Sequence, residues 1–306
     1  MELVKSKAIT IENTNKCCMS CVFCPRESCR YKNDIMDNDL FKKIIDQSYQ
    51  VGIRHVDMGG FGDPYLDPEL EWKLKYIKNN YCDITVYLSN VGYLMSEKYD
   101  NLLKYIDTLK ISNFSCIQET FEKMHGVNYE VTFENINRIL GLEFRPYINA
   151  LMVVDEINIK EIECWKNWWS DKADEIMIWK PHNYKGYNTY GIRKPIESVH
   201  SCGRPQNGSL FVHADGKVSP CCFDINKEII IGDLCEEDLL TVLMGEKRSL
   251  YMKMHSENDL CKINNTFCKG CDQLSDRSDA LVYASNSRRK VGVLNSSPTY
   301  HNILGE

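Results

Sequence analysis

From residue 7 to about residue 180 the chain alternates short apolar runs with amphipathic stretches. The runs KAITIEN, IRHVDMGG, DITVYLSN, DTLKISNF, FRPYINALMVV and DEIMIWKPH read as six strands. Between the first two, DNDLFKKIIDQSYQVG puts Leu40, Phe41, Ile44 and Ile45 on one helical face, with Asp39 as the expected N-cap and Gly52 as the stop. PELEWKLKYIKNN, SEKYDNLLKYI, TFENINRILGL and IKEIECWKNWWS predict further helices by the same pattern. Strand–helix alternation calls for a mostly parallel sheet with helices outside it. Six units suggest an α/β fold built as an open, partial (β/α)6 TIM-like barrel, with its ligand side at the C-terminal ends of the strands.

After about residue 185 the rhythm changes. NYKGYNTYGIRKP is polar, aromatic and punctuated by glycine, as a linker or active-site loop is. SLFVHADGKVSPCC alternates around Asp215-Gly216, a two-residue hairpin signal. EEDLLTVLMGEKRSLYMKM reads as helix, and Cys268 and Cys271 close this part. The expected organisation is a barrel over residues 1–185, a small hairpin-and-helix module over 186–275, and a Ser-, Asn- and Arg-containing tail over 276–306.

Charge and hydropathy narrow the function classes. Lys and Arg number 37 against 43 Asp and Glu, a net charge of −6, without the dense basic patch that nucleic-acid binding requires. No apolar run approaches the roughly 18 residues of a membrane span, and MELVKSKAITIEN lacks the apolar core of a signal peptide. A cytoplasmic protein is expected. Of its 15 cysteines, 12 crowd into two regions, Cys17 to Cys29 and Cys202 to Cys271. In a reducing compartment such clusters point to metal or catalysis rather than disulfides.

Cys17-x3-Cys21-x2-Cys24 lies in the loop directly after the first strand. Three thiolates so spaced can hold three irons of a cubane and leave the fourth iron open to a ligand. A zinc knuckle completed by Cys18 or Cys29 is the alternative. In the second region a hairpin would bring Cys202 and Cys221 to one end, and a helix would return Cys268-x2-Cys271 to meet them. Four thiolates make a closed site, for an iron–sulfur cluster or for structural zinc. Cys222 is an alternative to Cys221, which the Gly216-x4-Cys221 spacing favours. Cys18, Cys29, Cys82, Cys116, Cys164, Cys235 and Cys261 read as ordinary thiols.

CCMSCVFCP, followed by GGFGDP at 59–64 at the end of the second strand, resembles the radical S-adenosylmethionine (SAM) superfamily over roughly residues 7–180. The resemblance implies a first 4Fe–4S cluster on Cys17, Cys21 and Cys24, whose open iron takes the amino and carboxylate groups of SAM. Phe23 then stands beside the adenine, and the segment containing Gly60 and Gly62 meets the SAM ammonium. Asp63 occupies a position where the family usually has Glu. Ser89 and Asn90 match the pair that contacts ribose, Ser112 a ribose or carboxylate contact, and Leu151 an adenine-packing residue. Turn-forming glycines, a polar turn cap and a core leucine are the plainer readings of the same positions. The second cysteine set resembles the SPASM and shorter twitch extensions. No three further cysteines follow Cys271, so the twitch form with one auxiliary 4Fe–4S cluster fits better.

In this superfamily one electron cleaves SAM to methionine and a 5′-deoxyadenosyl radical, which abstracts hydrogen from the substrate. A second, fully ligated cluster can accept the electron left behind, giving a two-electron oxidation such as alcohol to ketone. The architecture resembles the cyclitol dehydrogenases of aminoglycoside biosynthesis. A base or cation near the hydroxyl is expected, and the candidates are Lys180, His182, Asn183 and Tyr184 after strand six, with Arg145 near strand five. His182 titrates in the range suited to proton transfer and Lys180 could serve as the cation, although a surface lysine and a loop histidine are also commonplace. The implied partners are a polar small molecule (a sugar, cyclitol or nucleotide sugar) and a reductant such as flavodoxin or ferredoxin. The rivals are a ribosomal-peptide maturase, a redox-neutral epimerase or dehydratase, and a non-catalytic metal protein. A first strand beginning near residue 7 leaves no room for the N-terminal peptide-binding module common in maturases.

Overall fold

The computed structural model describes residues 4–179, 181–188, 200–207, 209–274 and 283–285. All six expected runs are strands: β1 (Ala8–Ile11), β2 (His55–Met58), β3 (Thr85–Asn90), β4 (Thr108–Ser112), β5 (Tyr147–Val153) and β6 (Glu175–Trp179). Each runs parallel to the one before it. Their period-two pattern has a direct cause. Ile9, Ile11, Val56, Met58, Val86, Leu88, Leu109 and Ile111 are buried in the main core. The alternate positions Thr10, Asp57, Ser89 and Lys110 line the concave side.

Five α-helices accompany these strands: α1 (Asn38–Gln50), α2 (Leu70–Asn80), α3 (Gln118–His125), α4 (Tyr129–Leu140) and α5 (Ile162–Trp169). In α1, Phe41, Ile44 and Ile45 are buried as the pattern requires, but the N-cap is Asp37, not Asp39. Asp37 Oδ1 accepts from the Asp39 and Leu40 N–H groups at 2.8 and 3.3 Å. The helix expected at SEKYDNLLKYI is a 3-10 helix, Glu97–Tyr105. Helix α3 was not anticipated; with only Phe121 and Met124 as large apolar residues, it is too short to show a periodic face.

The second region does not stand apart from the first. Strand β7 (Leu210–Val212) pairs parallel with β1, and β8 (Lys217–Ser219) and β9 (Gly232–Asp233) follow antiparallel. A short β10 (Tyr283–Ser285) lies antiparallel to β6. The result is one unclosed sheet of ten strands in the order β10-β6-β5-β4-β3-β2-β1-β7-β8-β9. The boundary expected at 185/186 therefore does not separate two sheets. The hairpin turn is longer than its Asp-Gly signal suggested. His213 N–H donates to Lys217 O and Gly216 N–H to His213 O, with Gly216 at φ +83°, so residues 214–216 form a three-residue loop. A short α6 (Arg204–Asn207) precedes β7, and the long helix expected afterwards breaks at Gly245 into α7 (Leu239–Met244) and α8 (Glu246–Ser256). A four-residue α9 (Leu260–Ile263) leads to the last cysteines. Apart from residues 283–285, the expected tail lies outside the described residues.

One buried ion pair pins the glycine-rich end of β2 to α2. Lys73 Nζ donates to Asp67 Oδ2 at 2.7 Å and to Met36 O at 2.6 Å, while Asn13 Nδ2 donates to the same carboxylate at 2.9 Å. Both charged side chains are fully buried. Removing one partner leaves an uncompensated buried charge. Lys73→Met is therefore expected to cost about 3–5 kcal/mol in denaturant unfolding, and a loss within 1 kcal/mol of zero (well under that estimate) would refute this account.

Candidate active site

The first cysteine loop is clamped at both ends. Ser20 and Val22 donate their N–H groups to His125 O and Met124 O at the end of α3, and Asp63 N–H donates to Lys16 O. Two glycines make these approaches possible. A Cβ on Gly62 would run into the Thr14 carbonyl, and one on Gly126, itself at φ +68°, would run into Ser20 Oγ. Cys17, Cys21 and Cys24 are half-buried free thiols. Burial pushes Cys17 up to about 11 and holds Cys21 and Cys24 above the ordinary thiol range. Three thiolates here need a compensating cation. Among the described residues no three Cys, His, Asp or Glu side chains converge on a single ion.

Polar atoms without protein partners lie after β2, at Asp63, and at the end of β3, at Asn90. Asp63 is buried; its Oδ1 accepts from Tyr65 N–H at 2.9 Å, while Oδ2 has no partner. Burial pushes its carboxyl up to about 6. Asn90 is buried with neither amide atom bonded. Buried orphans of this kind fit a site that reserves hydrogen bonds for a bound group. Phe23 packs on Phe114, ring centroids 5.4 Å apart, and on Met124. Ser112 and Leu151 are register partners at the ends of β4 and β5, and Leu151 is buried.

The glycine segment is fixed by a carboxylate that the sequence reading passed over. Glu12, buried at the end of β1, accepts from Phe61 N–H at 3.0 Å and from Ala214 N–H at 3.4 Å. It thereby joins β1, the 59–64 segment and the β7–β8 hairpin. A Cβ on Gly60 would lie 2.7 Å from Glu12 Oε1. Burial raises this carboxyl to about 7.

A cleft of about 270 Å³ opens on the concave side of the sheet, lined by Thr10, Asp57, Ser89, Lys110, His182 and Arg204 among others. Cys222 and Phe223 form part of its wall. Arg204 donates to Cys222 Sγ at 3.3 Å and lies over the Phe223 ring. The Cys221 hydrogen bond, followed by the Arg204 charge, draws the Cys222 thiol down. Cys202, Cys221, Cys268 and Cys271 pack against one small apolar core with Phe223, Tyr251 and Phe267. Burial pushes Cys268 up to about 11 and Cys271 higher still. Segment 181–188 is stitched to this centre. Asn183 N–H donates to Asp272 Oδ2 at 2.7 Å, and Asn183 Nδ2 to Gly270 O at 2.7 Å.

Comparison with known proteins decides the family. Residues 11–165, half of the chain, match the Radical SAM superfamily. The chain belongs to the radical SAM superfamily. Residues 202–272 match SPASM, the iron–sulfur cluster-binding domain, so SAM, a 4Fe–4S cluster and auxiliary iron–sulfur belong to its chemistry. No curated protein matches the sequence. Solved structures share the fold at low identity. BtrN in complex with AdoMet and 2-DOIA is 18% identical, with a TM-score of 0.63 over 89% of this chain and 94% of that one. Streptococcus suis SuiB bound to precursor peptide SuiA is 14% identical, with a TM-score of 0.70 over 87% of this chain and 70% of that one. Native anSMEcpe with bound AdoMet and Kp18Cys peptide is 14% identical, with a TM-score of 0.62 over 90% and 92%.

Within this radical SAM chain the structure brings some of the expected residues together and places others elsewhere. Ser89 and His182 reach the cleft. Arg145 does not: it precedes the N-terminal end of β5 and is ion-paired with Asp174 at 2.5 Å, at the end of the strands opposite the cysteine loop. Lys180 lies outside the described residues. Asp57, Lys110 and Arg204 were overlooked. For the first two there was a signal: each is a charged residue at the concave position of a strand whose neighbours, Val56 and Met58 or Leu109 and Ile111, are wholly buried. Among the described residues no helix is long and apolar enough to cross a membrane.

Two tests follow from this geometry. Gly59→Ala, whose Cβ meets nothing nearer than 3.5 Å, is expected to load iron as the parent does. Gly62→Ala is expected to lose SAM-responsive electron paramagnetic resonance (EPR), and equal behaviour of the two would contradict the clamp. The second test is of pH. An unfolded Glu12 ionises above its ordinary 4.5, the folded one only above about 7. Folding thus takes up a proton in that window, and stability falls as pH rises through it, by at most about 3 kcal/mol. Glu12→Gln should flatten that decline in unfolding measured across the window; an unaltered slope would contradict it.

Proposed function

We propose that this radical SAM protein oxidises a hydroxyl group of a small polar molecule (a sugar, cyclitol or nucleotide sugar) to a ketone by two electrons. The observation that carries the reading is the charged cleft bordered by the glycine segment at Gly59–Phe61 and by Cys222, with Asp57, Lys110, His182 and Arg204 on its wall. When bound, SAM and the first cluster supply a 5′-deoxyadenosyl radical that takes a hydrogen atom from the substrate. Cys17, Cys21 and Cys24 would hold that cluster. Gly60, Asp63, Asn90, Ser112 and Leu151, with Phe23 nearby, would hold SAM. Gly62 serves chiefly to let the loop approach. Cys202, Cys221, Cys268 and Cys271 would hold a single auxiliary 4Fe–4S cluster, the acceptor for the second electron. Cys221 is preferred to Cys222 because of the Gly216-x4-Cys221 spacing and because Cys222 lines the cleft.

The protein's own groups divide the proton work. Gln273 Nε2 donates to Asp272 Oδ1 at 3.1 Å and to His182 Nδ1 at 3.0 Å. This leaves the proton of a neutral His182 ring on Nε2, so His182 serves as a hydrogen-bond donor. Asp57 is then the carboxylate placed to take the hydroxyl proton, and Lys110 and Arg204 are the cations that favour the alkoxide. A one-electron reductant such as flavodoxin or ferredoxin, in the cytoplasm, completes the reading.

Peptide modification is the second reading, favoured by the fold shared with SuiB and anSMEcpe, whose structures carry peptides. The deciding experiment uses anaerobically reconstituted protein with Cys17, Cys21 and Cys24 all changed to alanine. About four irons per chain should remain, as a four-cysteine cluster requires, and the parent should release a metabolite two hydrogens lighter than its substrate. Zinc or no metal at the second site would remove the electron acceptor and leave redox-neutral chemistry. A crosslinked or epimerised peptide would establish the second reading. Asp57→Asn is expected to lower turnover by about 10²–10⁴-fold at unchanged iron content, and full activity would dismiss it as the base.

A further inference from the structure

We infer that His125 is a positioning residue that sets the reduction potential of the SAM-binding cluster by donating its Nδ1–H to the sulfur of Cys21. The inference rests on the reading of Cys21 as an iron ligand. His125 is the last residue of α3 and is fully buried. Its Nδ1 lies 3.3 Å from Cys21 Sγ. Its Nε2 lies 3.2 Å from the backbone nitrogen of Phe114, which can only donate. Nε2 must therefore carry the lone pair, and the single proton of the ring sits on Nδ1, facing the sulfur. The same bond excludes an imidazolium, which has no acceptor. Phe114 and Phe121, with ring centroids 4.4 and 4.6 Å from the imidazole, hold its plane.

Hydrogen bonds to the sulfurs are among the features that set an iron–sulfur potential. A donor aimed at a cysteine sulfur stabilises the extra negative charge of the reduced state and so makes the cluster easier to reduce. Cys17 and Cys24 receive hydrogen bonds from the backbone at Met19 and Arg26, which side-chain substitution leaves in place. At Cys21 a side chain donates beside the residue's own backbone N–H, and that side-chain donor can be replaced. The carbonyl of His125 separately accepts from Ser20 N–H, so changing the ring spares the main-chain clamp on the loop.

EPR-monitored redox titration of the anaerobically reconstituted holoenzyme reads this directly, the first cluster being identified by its spectral change when SAM is added. In His125→Leu its midpoint is expected to move to more negative potential, while the midpoint of the second cluster stays. His125→Asn, whose amide nitrogen reaches the Nδ1 position, should restore the parent midpoint. An unmoved first midpoint in His125→Leu at full iron content overturns the inference, as does an Asn variant no nearer the parent than the Leu variant. Should His125→Leu fail to load iron, the Asn variant is compared with His125→Gln, whose amide falls at the Nε2 position; equal midpoints overturn it. A SAM-responsive signal surviving in Cys21→Ala removes the ligand on which the inference stands, whatever the substrate proves to be.

Discussion

Strand β1 is paired on both edges, with β2 on one side and β7 on the other, and both halves of the chemistry hang from that arrangement. The loop that leaves β1 carries the first cysteines, and the hairpin that begins with β7 delivers Cys221 and Cys222. Glu12, at the end of β1, accepts from a backbone N–H on each side. The placement of the two cysteine sets relative to one another is set by one continuous sheet. It is not left to the docking of two separate modules.

Burial creates the second constraint. In both sets, Cys17, Cys21, Cys268 and Cys271 are held where the thiol form is favoured, by desolvation and by neighbouring thiols. Such a fold is incomplete without positive charge at both places, and cluster loading and folding energy become coupled quantities. The polar orphans Asp63 Oδ2 and Asn90 belong to the same pattern. No neighbouring side chain meets their desolvation costs, which is the pattern of a site that reserves hydrogen bonds for a ligand.

Much of this was legible in the chain itself. Six strands, the helical faces of α1, α2, α4 and α5, and the two cysteine sets all announce themselves by local period or spacing. What stayed hidden depends on contacts distant in sequence. The pairing of β7 with β1 joins residues about 200 apart, and nothing in SLFVHADGKV names its partner. His125 reads as one more polar residue in a short helix until α3 packs against the cysteine loop. Arg145 looked like a site residue because it precedes a strand, yet the end of the strand to which it belongs is the wrong one. Asp57 and Lys110 were visible in principle, since a charge in the middle of a buried parallel strand must face something other than the apolar core.

Segment 181–188 is linked to the last cysteines. Asn183 is tied to Gly270 and Asp272, and His182 to Gln273, so one wall of the cleft is built from the same stretch that closes the second metal site. The shape of that wall and the closure of the second cysteine set are therefore one structural feature, and whatever disturbs the 268–273 stretch disturbs both.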